Sequence, residues 1–361
     1  MRTMPRIYLD HAATTPMRPE AKAAMAAALE RWANPSSPHA EGRAARAALE
    51  EARARIKAAL GWRGELIFTS GASEALWIAL NRAKLKRRIV SAVEHDAVFR
   101  VAPDAEVTPV RAGEVDRVAL GELLAAGSPA VVVLQHVNSE TGTGQPVDVV
   151  AAQVRASGGI LVSDCAQSAG KLPLPDADLV VVSAHKLGGP PGIGALLMRD
   201  FGLLEPIGGH EFGYRQGTEN LPAILGFAAA ASTIRYVPPD VVDWLSRSEG
   251  IADCILDLEY PIQKAGGGFI ASNGIGSPHI VAIEMPGKSA AAQLIRFDAM
   301  GFAVSAGSAC SSGTLKRSRA LAAFGVDEDT AARTIRVSFG WTTTKQEIEA
   351  FRDAWLEVAG A

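Results

Sequence analysis

Short apolar runs alternate with helix-length segments along the first two thirds of the chain. The runs are rich in Val, Ile and Leu, are bounded by glycine or polar residues, and lie at Glu65–Thr69, Arg88–Val93, Ala130–Leu134, Ile160–Val162 and Leu179–Val182. Continuous apolar runs of this length are typical of strands buried on both faces, and most of the segments between them are long enough for helices. The pattern therefore predicts an α/β fold in which helices cover both sides of a mainly parallel sheet.

The pattern changes after residue 231. The pair Pro238–Pro239 and the run Gly266–Gly268 interrupt it, and the remainder mixes strand-like with helical segments. We therefore expect a large α/β domain at residues 15–240 and a smaller α+β domain formed by residues 1–14 and 241–361. A length of 361 residues suits two domains of ordinary size.

Composition narrows the class of protein. The 36 Lys and Arg residues nearly balance the 39 Asp and Glu residues without any basic block, which argues against nucleic acid as a partner. The longest apolar stretches, such as Ala223–Ala231, fall well short of the roughly 20 residues of a membrane span. The three cysteines, at positions 165, 254 and 310, are too few and too scattered for a disulfide framework. These features predict a cytoplasmic protein that binds neither nucleic acid nor membrane.

The residues that follow the apolar runs are candidate catalytic and binding residues, because ligands of an open parallel sheet bind beyond the carboxyl ends of its strands. After Glu65–Thr69 come Gly71, Ala72 and Ser73 at the start of a helix. Free backbone N–H groups and the helix dipole suit an anion such as phosphate there. Taken alone, this short motif favours an ordinary N-cap serine over a phosphate site.

Two further strand ends carry an aspartate and a lysine. Asp164 follows Ile160–Val162, with Gln167 three residues later, and Lys186 follows Leu179–Val182. A lysine after a buried strand is poorly explained as a surface charge, and its amine can become a Schiff-base nucleophile. An aspartate in this position can pair with a cationic ring nitrogen, bind a metal, orient a base or simply cap a turn. A lysine, an aspartate and a phosphate cup together indicate pyridoxal phosphate (PLP) chemistry.

Ten motifs make the chain resemble the cysteine desulfurases, which are PLP enzymes of the class V aminotransferase-like group with the fold-type I architecture. They occur in order from residue 8 to about residue 350: YLDHAATTP, NPSSPH, TSGASEA, EHDAV, HVNSETG, SDCAQ, SAHKLGGPPGIGAL, RQGTEN, SAGSACSSG and IRVSFG. Ten ordered motifs over nearly the whole chain are far more specific than any single one of them.

The resemblance implies roles for individual residues. Lys186 would form the Schiff base with PLP, and His95 would stack on the cofactor ring. The other implied cofactor contacts are to the ring nitrogen (Asp164), the ring hydroxyl (Gln167), the phosphate (Ala72, Ser73, Ser183, His185) and the surroundings of the ring (Asn138). Thr218 would reach the phosphate of the partner subunit, which implies a homodimer with composite sites.

Substrate binding is implied at Asn34 and Arg336, which would hold the substrate carboxylate. The planar fork of an arginine suits a carboxylate because it can donate two parallel hydrogen bonds. Each of these residues also has an ordinary interpretation. Arg336 without the motif would be a surface ion pair, Asn34 a turn residue before proline, and His95 a core histidine.

The three cysteines have different predicted roles. A free cysteine is most often a small buried apolar residue, which is our interpretation of Cys165 and Cys254. Cys310 lies instead in Ser305–Gly313, a run of small and polar residues typical of a loop that reaches solvent. In the resembled family this position carries a persulfide, and its reactivity depends on how far the pKa of the thiol is lowered.

The activity implied by the resemblance converts L-cysteine to L-alanine and leaves the sulfur on Cys310 for a sulfur acceptor or an iron–sulfur scaffold protein. Lys186, Cys310 and His95 would be the catalytic residues. No resident metal is expected, and a transient contact between Cys310 and a nascent iron–sulfur cluster is left open. The alternatives are a selenocysteine lyase or a class V aminotransferase on the same scaffold, and a non-catalytic subunit of a sulfur-transfer assembly.

Three features depart from the family's usual pattern. Residues 96–113 leave little room for the helix that normally follows the stacking histidine, and residues 235–278 look abbreviated. Trp341 stands where many relatives have arginine, while Arg336 is retained. We expect these differences to change local architecture and to leave binding of the substrate carboxylate intact.

Overall fold

The computed structural model describes residues 6–31, 33–234, 251–270, 276–307 and 318–361, and in the helix that begins at Ile251 it describes the side chains of Ile255 and of the residues from Asp257 onward. The strands are β1 (Ile7–Tyr8), β2 (Glu65–Thr69), β3 (Arg87–Ser91), β4 (Glu106–Thr108), β5 (Val110–Arg111), β6 (Glu114–Val115), β7 (Ala130–Val133), β8 (Ile160–Asp164), β9 (Leu179–Ser183), β10 (Gly194–Met198), β11 (Gly268–Phe269), β12 (Ile280–Glu284), β13 (Phe302–Ala303) and β14 (Thr334–Ser338). The α-helices are α1 (Pro19–Leu29), α2 (Ala40–Ala59), α3 (Ala72–Asn81), α4 (Asp96–Val101), α5 (Arg117–Ala125), α6 (Val147–Ala156), α7 (Leu221–Ala231), α8 (Ile251–Lys264), α9 (Ala290–Ala299), α10 (Arg319–Ala323), α11 (Glu328–Ala332) and α12 (Lys345–Ala359).

A large mixed sheet organises the first part of the chain. Its strand order is β2-β10-β9-β8-β7-β3-β4, and the strands from β9 to β4 run parallel to one another. β10 runs antiparallel to both β2 and β9, so β2 has the same direction as the parallel set. The predicted α/β fold with a mainly parallel sheet is therefore confirmed, while the antiparallel β10 was not anticipated from the sequence.

The strands of the large sheet are apolar because both faces are buried. Along β9, Leu179 and Val181 face an apolar cluster that α3 and α4 help to form. Val180 and Val182 point to the opposite side, into a cluster that includes residues of α2, α6 and α7. Successive side chains of a strand alternate between faces, and here each face meets helices, so neither set of positions can be polar.

A second, antiparallel sheet has the order β11-β12-β14. Its core contains the largest fully buried side chain of the described residues, Trp355 of α12, together with Phe297 and Phe351. The first described residues join this unit, since Ile7 pairs with Phe302 and Leu9 lies in the same apolar cluster. The residues around position 240, where we expect the division between two domains, lie outside the described residues, so the two-domain division stays a prediction.

Candidate active site

The carboxyl ends of the parallel strands surround one pocket that encloses about 430 Å³. Strands β2, β8 and β9 end at this edge, and the segments that follow β3 and β7 complete its wall. Pockets of this size at such a sheet edge are suited to a small molecule. The wall brings together eight of the predicted site residues: Ala72, Ser73, His95, Asp164, Gln167, Ser183, His185 and Lys186.

Lys186 reaches the pocket from a single 3-10 turn, Ala184–Lys186, that directly follows β9. Burial lowers the pKa of its amine, and the carboxylate of Asp164 opposes that shift while the charge of Arg336 adds to it. A neutral amine is the nucleophilic form of lysine, so the position favours imine chemistry at this atom.

Asp164 is the last residue of β8, the strand that pairs with β9, and Gln167 follows three residues later. The carboxylate of Asp164 is almost fully buried, and its Oδ1 accepts a hydrogen bond from the backbone N–H of Ala166 at 2.9 Å. The side chain of Gln167 donates from Nε2 to the carbonyl of Ala12 at 3.0 Å, which leaves Oε1 as a buried acceptor without a partner in the described structure. A buried acceptor of this kind is costly unless a ligand or water satisfies it.

The start of α3 forms an anion cup on the same wall. No side chain caps this helix, whose N-cap residue is Gly71 with a φ of 152°. The uncapped N–H groups and the helix dipole therefore face the pocket, where an anion would satisfy them. Close packing holds the cup in place, because a Cβ at Gly194 of β10 would lie only 2.8 Å from the Cα of Gly71.

Two histidines of the wall are held in defined orientations. His95 is the N-cap of α4, and its Nδ1 accepts a hydrogen bond from the N–H of Ala97 at 3.1 Å, which leaves Nε2 to carry the proton. Burial lowers the pKa of His95, with Asp164 acting in the opposite direction. His185 lies 3.0 Å from the hydroxyl of Thr14 through Nδ1, and burial and the charge of Lys186 lower its pKa to about 4. Both rings are therefore neutral near pH 7.

Arg336 lies in β14 and is not among the residues that line the pocket; its buried guanidinium has two hydrogen-bond partners. Its Nη2 donates to the carboxylate of Asp10 at 2.8 Å, and its Nη1 donates to the carbonyl of Ser139 at 3.0 Å. Ser139 itself lines the pocket. The buried Nε of Arg336 has no partner among the described residues. The ordinary alternative for Arg336, a surface ion pair, does not describe this arrangement.

Four predicted residues are placed elsewhere. Asn138 is buried beside the pocket wall, with Nδ2 donating to the carbonyl of Val93 at 3.3 Å and Oδ1 bound within its own turn. Asn34 is exposed, and its Oδ1 accepts from the N–H of Ser36 at 2.8 Å, which matches the turn role given as its alternative. Thr218 is exposed. Cys310 lies outside the described residues, so its position is not part of this geometry.

Four further features singled out in the sequence are Cys165, Cys254, the segment after His95 and Trp341. Cys165 is completely buried, as predicted, and burial raises its pKa to about 12. The side chain of Cys254 lies outside the described residues. The short segment after His95 still forms a helix, α4, of six residues. Trp341 donates from Nε1 to the carbonyl of Pro16 at 2.9 Å, with its ring 4.9 Å from the guanidinium carbon of Arg18.

Sequence reasoning missed three carboxylates that lie near proposed site residues: Glu94 is buried, and Asp10 and Glu140 are partly buried. Asp10 holds Arg336, Glu94 precedes His95 with a pKa raised to about 8 by burial, and Glu140 follows Ser139 with a pKa that burial also raises. Each lies inside a motif quoted above, namely YLDHAATTP, EHDAV and HVNSETG. The available signal was an acidic residue within a motif, which for Glu94 lies directly beside the proposed residue His95.

The residues of the pocket fit PLP. The amine of Lys186, the carboxylate of Asp164, the unpartnered acceptor of Gln167 and the uncapped start of α3 match an aldehyde, a protonated ring nitrogen, a ring hydroxyl and a phosphate. Within the described residues, no group of three or more His, Cys, Asp or Glu side chains is arranged to hold a metal ion. The same residues include no helix with the length and apolar character needed to cross a membrane.

Comparison with known proteins gives a consistent result. The family model for aminotransferase class-V matches residues 7–351. An IscS-like cysteine desulfurase of Mycobacterium tuberculosis is 36% identical over 97% of this chain and 94% of its own length. A cysteine desulfurase IscS of Dictyoglomus turgidum is 34% identical over 95% of this chain and 91% of its own length.

A solved structure shows the same fold. The NifS-like protein of Rickettsia africae superposes with a TM-score of 0.86 at 30% identity, covering 99% of this chain and 100% of that one. The expected fold-type I architecture is confirmed by this likeness together with the mainly parallel sheet. The chain belongs to the aminotransferase class-V family, and the two relatives named above, which it matches over nearly its whole length, are cysteine desulfurases.

Proposed function

We propose that this protein is a PLP-dependent cysteine desulfurase that converts L-cysteine to L-alanine and retains the sulfur as a persulfide on Cys310. The observation that carries the proposal is the meeting of Lys186, Asp164 and the uncapped start of α3 on the wall of one pocket. The names of the relatives supply the substrate, because the pocket residues alone would suit several PLP reactions.

Each residue then has a defined task in the reaction. PLP, when bound, supplies an electron sink that stabilises negative charge at the substrate Cα. Lys186 would hold the cofactor through Nζ, and the same atom would take the Cα proton of the substrate. Asp164 would keep the ring nitrogen protonated, Gln167 would hydrogen-bond the ring hydroxyl, and the start of α3 with Ser183 and His185 would hold the phosphate.

Residues around the cofactor would bind the substrate and transfer its sulfur. Arg336 would bind the substrate carboxylate, together with Asn34 of the exposed turn between α1 and α2. His95 would stack on the cofactor ring and would exchange a proton with the substrate thiol through Nε2. The thiolate of Cys310 attacks the substrate sulfur. A new S–S bond forms as the C–S bond breaks, and the carbon keeps the bonding electrons and gains a proton to give alanine.

Cys310 favours this reaction over the aminotransferase alternative, since amino-group transfer needs no thiol nucleophile. It does not separate cysteine from selenocysteine as substrate. The presence of both Lys186 and Cys310 in the sequence argues against a non-catalytic subunit.

The same proposal covers the oligomeric state, the compartment and the sulfur acceptor. The chain would act as a two-domain homodimer in the cytoplasm and pass sulfur to an acceptor or scaffold protein for iron–sulfur cluster assembly. The exposed position of Thr218 and its absence from the pocket wall of its own chain are compatible with a role in the partner's site.

Product analysis tests the activity. Purified holoenzyme given L-cysteine should form alanine and protein-bound sulfur in equal amounts, and a parallel assay with selenocysteine measures selectivity. Lys186→Ala should abolish turnover. Cys310→Ala should abolish persulfide formation while cysteine still changes the visible absorbance of the cofactor. Formation of pyruvate without alanine would disprove the assignment. Persulfide formation by Cys310→Ala at the wild-type level would also disprove it.

Subunit mixing tests the composite site. Lys186→Ala and Thr218→Ala homodimers should each have low activity, and exchange of subunits between them should restore activity, because one site of the mixed dimer then has both residues. If mixing restores nothing, Thr218 does not serve the partner's site.

A further inference from the structure

A carboxylate lies on the wall of the pocket, at the proposed phosphate cup. Glu74 is in the first turn of α3, the helix whose uncapped start forms the cup, and it lines the same pocket as Lys186. Its Oε2 accepts a hydrogen bond from the backbone N–H of Ser70, another residue of the wall. A phosphate group carries about 1.5 to 2 negative charges at pH 7, so this carboxylate repels the anion that the cup is suited to bind.

The wall itself offers little positive charge to offset this carboxylate. Among the described residues that line the pocket, Glu74 and Asp164 are acidic, and Lys186 is the one Lys or Arg residue. His95 and His185 are neutral near pH 7, because burial lowers the pKa of each ring. The charge of Glu74 must therefore be compensated by a residue that is not on the wall.

Arg215 pairs with Glu74 without lining the pocket. Its Nε lies 3.2 Å from Oε2 of Glu74, and the two residues are 141 positions apart in the sequence. The two side chains are only 20% and 29% exposed, so solvent and salt screen the pair incompletely. Nη1 of Arg215 also donates to the carbonyl of Gly217 at 3.3 Å, directly before Thr218. The arginine thus joins the phosphate cup of its own chain to the loop that carries Thr218.

The backbone at Arg215 is held by its own loop. The N–H of His210 donates to the carbonyl of Arg215 at 2.8 Å, and the N–H of Arg215 donates to the carbonyl of His210 at 3.3 Å. Nδ1 of His210 lies 3.1 Å from Oε2 of the buried Glu219. Residues before and after Arg215 therefore fix its place in the loop, so its guanidinium is a preorganised partner for Glu74.

We propose that Arg215 is a positioning residue for the cofactor phosphate: it neutralises Glu74, so that the start of α3 keeps the positive potential that binds an anion. This inference rests on the proposed function, since it takes PLP as the ligand. Arg215 acts through Glu74, whose bond to Ser70 holds the turn before α3. Loss of the arginine alone should weaken phosphate binding, whereas loss of both charges should not.

Two ligands that differ in the phosphate group test this electrostatic role. The full-length cofactor-free protein is titrated with PLP and, separately, with pyridoxal, and the visible absorbance of the bound ligand gives each dissociation constant. Arg215→Met should raise the constant for PLP about tenfold, from one uncompensated charge near the surface, and should leave that for pyridoxal within about twofold. Arg87→Met is the matched control, because Arg87 is 16% exposed and pairs with Glu106, and neither residue lines the pocket. It should leave both constants unchanged.

Replacement of the carboxylate should have the opposite effect. Glu74→Gln removes the charge and keeps an oxygen that can accept from Ser70, so this variant should bind PLP more tightly than the wild type. In the double variant of Arg215→Met with Glu74→Gln both charges are gone, and the affinity for PLP should return close to the wild-type value. Arg215→Lys keeps the positive charge and should recover most of the affinity that Arg215→Met loses.

The outcomes separate this inference from the proposed function. A wild-type protein that binds neither PLP nor pyridoxal would disprove the proposed function. If the wild type binds PLP, three results would each disprove charge compensation by Arg215. Arg215→Met could match Arg87→Met, it could weaken PLP and pyridoxal equally, or Glu74→Gln could bind PLP less tightly than the wild type.

Discussion

Arg53 and Glu211 form a two-bonded ion pair in the interior, with N–O distances of 2.7 and 3.0 Å. The backbone N–H of Phe68 donates to the same carboxylate at 2.7 Å, and the rings of Phe68 and Phe212 each lie 4.8 Å from the guanidinium carbon. Glu211 and Phe212 have φ values of 48° and 57°, a conformation that side-chain-bearing residues seldom adopt. The pair therefore joins α2 and β2 to the turn that precedes Thr218.

Removal of this arginine should be strongly destabilising. Arg53→Met leaves Glu211 buried without its counter-charge, which typically costs about 3–5 kcal/mol. Urea unfolding of the cofactor-free protein measures the loss. Lys86→Met is the control, since the pair between Lys86 and Glu205 is largely exposed and such pairs contribute at most about 1 kcal/mol. Equal losses in the two variants would contradict the importance of the interior pair.

Substrate binding should weaken even when Arg336 is replaced by lysine. Its guanidinium uses Nη1 and Nη2 for Ser139 and Asp10, a geometry that an ammonium cannot reproduce. We expect Arg336→Lys to raise the KM for cysteine by about tenfold or more, from loss of a charge-assisted hydrogen bond. Arg333→Lys is the control, because Arg333 precedes the same strand and pairs with Glu284 away from the pocket. A KM unchanged in Arg336→Lys would remove this residue from substrate binding.

Glu94 should make the cofactor-free protein less stable as pH rises. Burial raises its pKa to about 8 from the ordinary value of 4.5; the hydrogen bond from the N–H of Gln135 opposes this shift, and the charge of Asp164 adds to it. Between these two values the folded protein keeps a proton that the unfolded chain has lost, so stability falls with increasing pH across that window. Glu94→Gln mimics the protonated form and should flatten the profile. Urea unfolding from about pH 5 to about pH 8 measures both proteins, and parallel profiles would contradict the prediction.

Lys186 should be the residue that captures PLP. Burial lowers its pKa, so more of its amine is neutral near pH 7 than in a surface lysine. Incubation of the cofactor-free protein with PLP, followed by borohydride reduction, should place the label on the Lys186 peptide in a mass spectrum. Lys171 is a demanding control, since burial also lowers its pKa, to about 7, although it is not on the pocket wall. Lys171→Met should keep the label on Lys186, and a label on Lys171 in the wild type would contradict the assignment.

Much of the site was predictable because it follows from strand direction. Asp164 and Lys186 each end a run of apolar residues, and the ends of parallel strands meet at one edge of a sheet. The two residues therefore had to be neighbours once the runs were identified as strands. The start of α3 follows β2 in the same way, and β2 has the direction of the parallel set.

β10 shows the limit of that reasoning. Gly194–Met198 follows the glycine- and proline-rich segment GGPPGI, so its apolar residues look like the end of a loop. In the structure the strand inserts between β2 and β9 with the opposite direction. Local pattern predicts that a segment is buried, but the choice of its neighbours depends on contacts with distant strands.

The sequence by itself determined the strands, their buried faces and the chemistry at their ends, because hydrophobic periodicity and residue type are local properties. Only the tertiary structure decided which distant charges meet. Three side-chain hydrogen bonds join residues that are far apart in the sequence: Arg336 with Asp10 at a separation of 326 positions, Arg53 with Glu211 at 158, and Ser318 with Glu140 at 178. Each of these bonds forms because packing of apolar elements brings two polar groups together out of water, where each must find a partner.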